Sequence, residues 1–149
     1  MSERNAIQAD WFQLALRLII AGVFLYAAVP KILNPQEFYL NILGYNFIQG
    51  TPAKLVAIWL PWAELIAALG IIFNVWMHAN LRLIQAMLSG FIILLVLTLI
   101  RGIDADCGCF GSAGGQVTWW HVFGDFVLLF ITTFLITWTR FSDDTAQKA

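Results

Sequence analysis

The sequence predicts an all-α integral membrane protein: a four-helix bundle with a Cys-Gly-Cys loop between its third and fourth spans. Three observations carry that expectation. Only 11% of the 149 residues are charged and 60% are hydrophobic, against about 25% charged in an ordinary soluble domain. Four stretches are long and apolar enough to cross a bilayer, which takes about 20 residues per helix. Trp11, Trp76, Trp119, Trp120 and Trp138 fall near the ends of those stretches, where indole rings favour the membrane–water interface. Residues 1–149 are expected to form one membrane domain in contact with lipid. The net charge of −1 supplies no basic field for nucleic acid.

The first span is expected at 12–33. Its apolar run is long and lacks a small-x-small cleavage site, so it is expected to be retained rather than removed as a signal peptide. Arg17, Ala21, Phe24, Ala28 and Lys31 are spaced alternately four and three apart and form one helical stripe. Ionisable residues in a membrane usually face the bundle interior, which directs this stripe inward. Snorkelling of Arg17 and Lys31 to opposite interfaces is the competing reading.

The second span, 53–74, carries Pro61-Trp62-Ala63-Glu64. Pro61 cannot donate a backbone hydrogen bond and is expected to kink the helix. Glu64 lies near mid-membrane, where a carboxylate needs a proton or a cation. By estimated depth, Arg17 is its expected partner, either as a working charge pair or as a packing device.

The third span, 81–100, offers a polar line of Arg82, Gln85 and Ser89, expected to make interhelical hydrogen bonds worth about 0.6 kcal/mol each. In the fourth span, 118–139, Thr118, His121, Asp125 and Thr132 share a face. His121 and Asp125 stand at i,i+4 and can reach each other. Asp125 can orient the imidazole, and His121 can move protons near neutral pH. The alternative is an interfacial histidine beside a helix-packing aspartate. Gly124 suggests a close helix approach.

Four spans put both termini on one side together with the 74–81 turn. That side carries Arg4, Arg82, Arg140 and Lys148, with Arg17 one turn inside; the opposite side carries Lys31, Lys54 and Arg101. Cytoplasmic loops are enriched in Lys and Arg, which favours cytoplasmic termini in a bacterial inner membrane. The cysteine loop then faces the periplasm, where a disulfide can persist.

Cys107 and Cys109 are the only cysteines, set in Asp104-Ala105-Asp106-Cys107-Gly108-Cys109-Phe110-Gly111. Three readings compete: a metal site, a structural disulfide and a redox pair. Structural zinc needs four Cys or His ligands; here the candidates are the two cysteines, His121 and His78, and the topology puts His78 across the membrane. No metal is therefore expected. A disulfide closing so small a ring removes little chain entropy. Gly108 can supply the turn that brings the sulfurs together, yet strain is expected to remain, and strained exposed disulfides are the reducible, working ones. Asp104 and Asp106 disfavour a thiolate, and Arg101 favours it.

Asp106-Cys107-Gly108-Cys109-Phe110-Gly111, followed by Trp119-Trp120 and Asp125, resembles the CGCFG loop and next helix of the MauE proteins, which are grouped with the DoxX-like four-helix membrane proteins. The DoxX-like part of the resemblance is Arg17-x4-Gly22-Val23-Phe24, Ala27 and Lys31, then Leu60-Pro61-Trp62-Ala63-Glu64. It covers nearly the whole chain. It implies a bundle acting in extracytoplasmic thiol–disulfide chemistry, often beside a thioredoxin-like partner, in the maturation of a periplasmic dehydrogenase subunit. Where the family commonly has arginine before the aspartate of the fourth helix, this chain has Gly124, which makes Arg17 or Lys31 the expected cation for Asp125.

The function expected from these readings is a membrane thiol–disulfide oxidoreductase. A thiolate of a periplasmic client or thioredoxin-like protein attacks the Cys107–Cys109 disulfide, and the mixed disulfide is then resolved. His121 and Asp125 handle protons, and Arg101 stabilises developing thiolate. With no second cysteine pair, reoxidation needs an outside acceptor, either a protein or a quinone held among Trp62, Trp119, Trp120 and the charged interior. The rivals are a non-catalytic membrane subunit or assembly factor of a redox complex, and a small-molecule carrier coupled through Glu64 and Arg17.

Overall fold

The computed structural model describes residues 2–102 and 118–147, with side chains over 11–102 and 118–139. Five helices are present among them: α1 (Ser2–Leu33), α2 (Pro35–Gly44), α3 (Thr51–Ile72), α4 (Met77–Arg101) and α5 (Trp119–Gln147). Four are long and apolar enough to cross a membrane, over Trp11–Leu33, Thr51–Ile72, Met77–Arg101 and Trp119–Thr139. The cysteine loop lies outside the described residues.

The long helices form a ring. α1 packs on α3, α3 on α4, α4 on α5, and α5 returns to α1. At the end where α3 turns into α4, all four share one core that includes Ile20, Ala68, Leu81, Ile84 and Leu135, each buried. The opposite end divides. Phe38 and Ile42 of α2 pack on Ala53 and Ala57 of α3, while Leu95 of α4 packs on Val122 of α5. α1 and α5 meet edge to face through Phe12 and Phe134, and the space between them toward the divided end is a cavity.

The ten-residue α2 stands where a loop was expected. It is too short to read as a span, but its start is written locally. Pro35 occupies the first turn, where its missing N–H costs nothing, and Phe38 and Ile42 at i,i+4 supply the buried face. Pro30 and Pro61 both lie inside long helices, each removing one backbone hydrogen bond.

The α3–α4 turn is tighter than the expected 74–81. Asn74 and Trp76 adopt positive φ of 55° and 45°, and Val75 N–H donates to Gly70 O at 2.9 Å. The Asn80 side chain donates to Val75 O at 2.7 Å and fills the space over Gly70, where a Cβ would collide with its amide. Gly70→Ala is therefore expected to destabilise the protein by about 1–3 kcal/mol, read as a lower Tm in detergent; an unchanged Tm would show that Asn80 moves freely. Gln85 Nε2 donates across to Thr133 Oγ1 at 3.1 Å, as expected for the polar line of this helix. Ser89 bonds its own helix instead, at Gln85 O.

Candidate functional site: a buried charge pair at an intramembrane cavity

The expected inward stripe of the first span holds from Ala21 to Lys31, whereas Arg17 is only half-buried. Ala21, Phe24, Ala28 and Lys31 are all buried. The expected Arg17–Glu64 pair is not formed. Lys31 Nζ donates to both carboxylate oxygens of Glu64, at 2.8 and 3.0 Å, with 2% and 1% of the two side chains exposed. Arg17 instead reaches the α3–α4 turn, where Nη1 donates to Asn74 Oδ1 at 3.4 Å. That arrangement also removes Glu64–Arg17 as a coupling pair for a carrier.

The reason is geometric. Glu64 lies about 20 Å along α3 from Thr51 at 1.5 Å per residue, whereas Lys31 is in the last turn of α1. For the two to meet, α1 must end deeper than α3 begins, and α2 covers the step. Side chains tilt toward the N-terminus of their own helix. In antiparallel neighbours this sends Lys31 and Glu64 toward each other. Lys31 Nζ also lies 5.2 Å from the Phe38 ring centroid and 5.3 Å from that of Phe91, so two aromatic faces and a carboxylate surround the ammonium.

This pair borders a cavity of about 610 Å³ between α1, α4 and α5. Apart from Lys31 and Glu64, its polar lining is His121 and Asp125, both contributed by α5. Asp125 shares the cavity with Lys31 and with His121, one turn before it on α5. No described residue donates a hydrogen bond to its carboxylate. His121 Nδ1 accepts from the Thr118 N–H at 3.2 Å, which leaves Nε2 carrying the proton. Ile19 of α1 and Trp120, Phe123 and Val127 of α5 line the cavity while remaining exposed, so its mouth is the seam between α1 and α5, on the lipid-facing surface.

Gly124 also lines the cavity. A Cβ there would meet nothing within 4 Å, which corrects the expectation of a close helix approach. Of the three tryptophans assigned to a ligand, Trp120 lines the cavity; Trp62 and Trp119 are exposed and do not. Arg101, expected to serve the cysteine loop, lies with its guanidinium 4.6 Å from the Phe47 ring centroid, tying the end of α4 to the α2–α3 connection. Phe47 and Phe38 were not singled out from the sequence. Their signal was an aromatic residue following each candidate cation in space, which no spacing rule displays.

Transmembrane helices around a buried ion pair and a lipid-facing cavity define a polytopic membrane protein with an internal polar site. The chain belongs to the MauE family: the family described as methylamine utilisation protein MauE matches residues 9–139. It is similar to MauE of Paracoccus denitrificans, 30% identical over 116 residues, covering 76% of this chain and 62% of that protein. MauE of Methylorubrum extorquens is 29% identical over 113 residues, covering 75% and 61%. MauE of Paracoccus versutus is 28% identical over 118 residues, covering 78% and 63%. The chain thus spans a little over three fifths of the length of these curated relatives. No solved structure matches it.

Proposed function

We propose that the chain is a membrane thiol–disulfide oxidoreductase acting through Cys107 and Cys109 on a periplasmic client or thioredoxin-like protein. The observation that carries this reading is that both cysteines of the chain stand one residue apart, in the stretch joining α4 to α5. His121 and Asp125 follow at the start of α5, at the end of the bundle from which that stretch departs. The relatives are named for methylamine utilisation, and we assign the client to that process.

A client thiolate attacks one sulfur of the Cys107–Cys109 disulfide, and the other leaves as a thiolate. A second client thiolate then attacks the mixed disulfide. The client departs oxidised, and Cys107 and Cys109 remain as the reduced pair. His121 and Asp125 exchange the protons, and Arg101 favours the departing thiolate. The reading includes cytoplasmic termini in a bacterial inner membrane and a periplasmic cysteine loop.

Removing one sulfur of the pair at a time tests it. Cys109→Ser and Cys107→Ser, expressed singly with a maturing client, are expected to give a thiol-reducible covalent adduct in at least one case. If neither variant captures an adduct and both leave client maturation intact, the thiol–disulfide reading fails and the non-catalytic assembly role takes its place.

A further inference from the structure

We infer that the cavity between α1 and α5 is a binding site for an isoprenoid quinone that enters from the lipid. Its volume of about 610 Å³ lies within the roughly 300–1,000 Å³ of small-molecule pockets. Its walls are apolar except at two stations. On the α1 and α3 side, Lys31 spends two of its three N–H donors on Glu64. Across the seam, α5 presents Asp125, with no hydrogen bond from a described residue, and the His121 imidazole.

These features select among lipid-soluble molecules. An acyl chain would leave the Asp125 carboxylate and the His121 Nε2–H without a hydrogen-bonding partner, a costly arrangement. A phosphate headgroup would meet the Glu64 and Asp125 carboxylates. A neutral ring with carbonyl oxygens at opposite edges satisfies both stations: the third Lys31 N–H donates to one oxygen, and the His121 Nε2–H, beside Asp125, donates to the other. The tail leaves through the mouth beside Trp120 and Ile19, which are exposed.

The binding site stands on the cavity alone, whereas its redox use rests on the thiol–disulfide reading above. In that use, the reduced cysteine pair forms one S–S bond and loses two electrons and two protons. The quinone gains both and becomes a quinol. His121 and Asp125 deliver the protons to the carbonyl oxygens. A quinone also supplies the acceptor that a chain with one cysteine pair requires.

The test uses the full chain in nanodiscs of quinone-free phospholipid, with a photoreactive short-tailed ubiquinone analogue as probe. Saturable labelling of α1 and α5 peptides, competed by decylubiquinone, is the expected result. Gly124→Leu places a side chain in open space inside the cavity and is expected to weaken binding by about tenfold or more with helical content unchanged. Asp125→Asn keeps the shape of the site and separates its charge from its volume: slower quinol formation with labelling retained supports the proton-delivery role. Labelling that lipid alone suppresses, or that Gly124→Leu leaves untouched, overturns the site. Binding that persists in Cys107→Ser/Cys109→Ser while dithiol-dependent quinol formation stops supports both readings. Quinol formation that persists in that variant defeats the thiol reading and leaves the site intact, and client adducts formed without quinone binding defeat the site alone.

Discussion

Lys31→Met is expected to destabilise the protein by about 3–5 kcal/mol, the cost of leaving one member of a buried ion pair without its partner. Native stability is commonly about 5–15 kcal/mol, so the variant should accumulate poorly and melt at markedly lower temperature in detergent. Glu64→Gln strands the ammonium in the same way and should lose a comparable amount. The diagnostic variant is the double replacement Lys31→Met/Glu64→Met. Apolar residues of similar volume commonly replace a buried pair at little cost or with a gain, so this protein should recover most of its Tm. Failure of the double variant to recover would mean that the two aromatic faces and α2 depend on the ammonium itself. Arg17→Met provides the contrast: its bond to Asn74 is long, at 3.4 Å, and its loss should cost far less.

The second large effect falls on the cysteines. Cys107→Ser/Cys109→Ser is expected to abolish client maturation while leaving the unfolding free energy within about 1 kcal/mol of wild type and the Tm nearly unchanged, because a disulfide enclosing so few residues contributes little chain entropy. Measuring maturation of the client in cells alongside melting of the purified chain separates the two. A large fall in Tm with maturation intact would identify the pair as a staple. A loss of maturation at unchanged Tm supports exchange chemistry.

Much of this fold was legible because transmembrane helices announce themselves by composition and length. The expected 12–33 and 118–139 spans differ from the spans found by a residue at one end. The stripe from Ala21 to Lys31 was legible because helical spacing alone fixes which side chains share a face. Pairing across helices was not. Depth estimates treated every helix as ending at the interface, and α1 ends short of it because α2 follows immediately. Lys31 therefore looked interfacial when it reaches Glu64, and Arg17 looked deep enough to reach Glu64 when it serves a turn. The cavity was equally hidden. Residues flanking Gly124 permit either a close contact or a void, and only the positions of α1 and α5 decide between them.

The 33 positions separating Lys31 from Glu64 also set an order of events during synthesis. α1 reaches the membrane with its ammonium before its counter-ion exists. Until α3 emerges, Lys31, in the last turn of α1, can extend toward the headgroups, and α2 has nothing to roof. Only when Glu64 is made can the pair of the finished fold close, so the ion pair forms after α3 is complete. A chain halted before α3 would keep its first helix higher in the bilayer than the finished protein does.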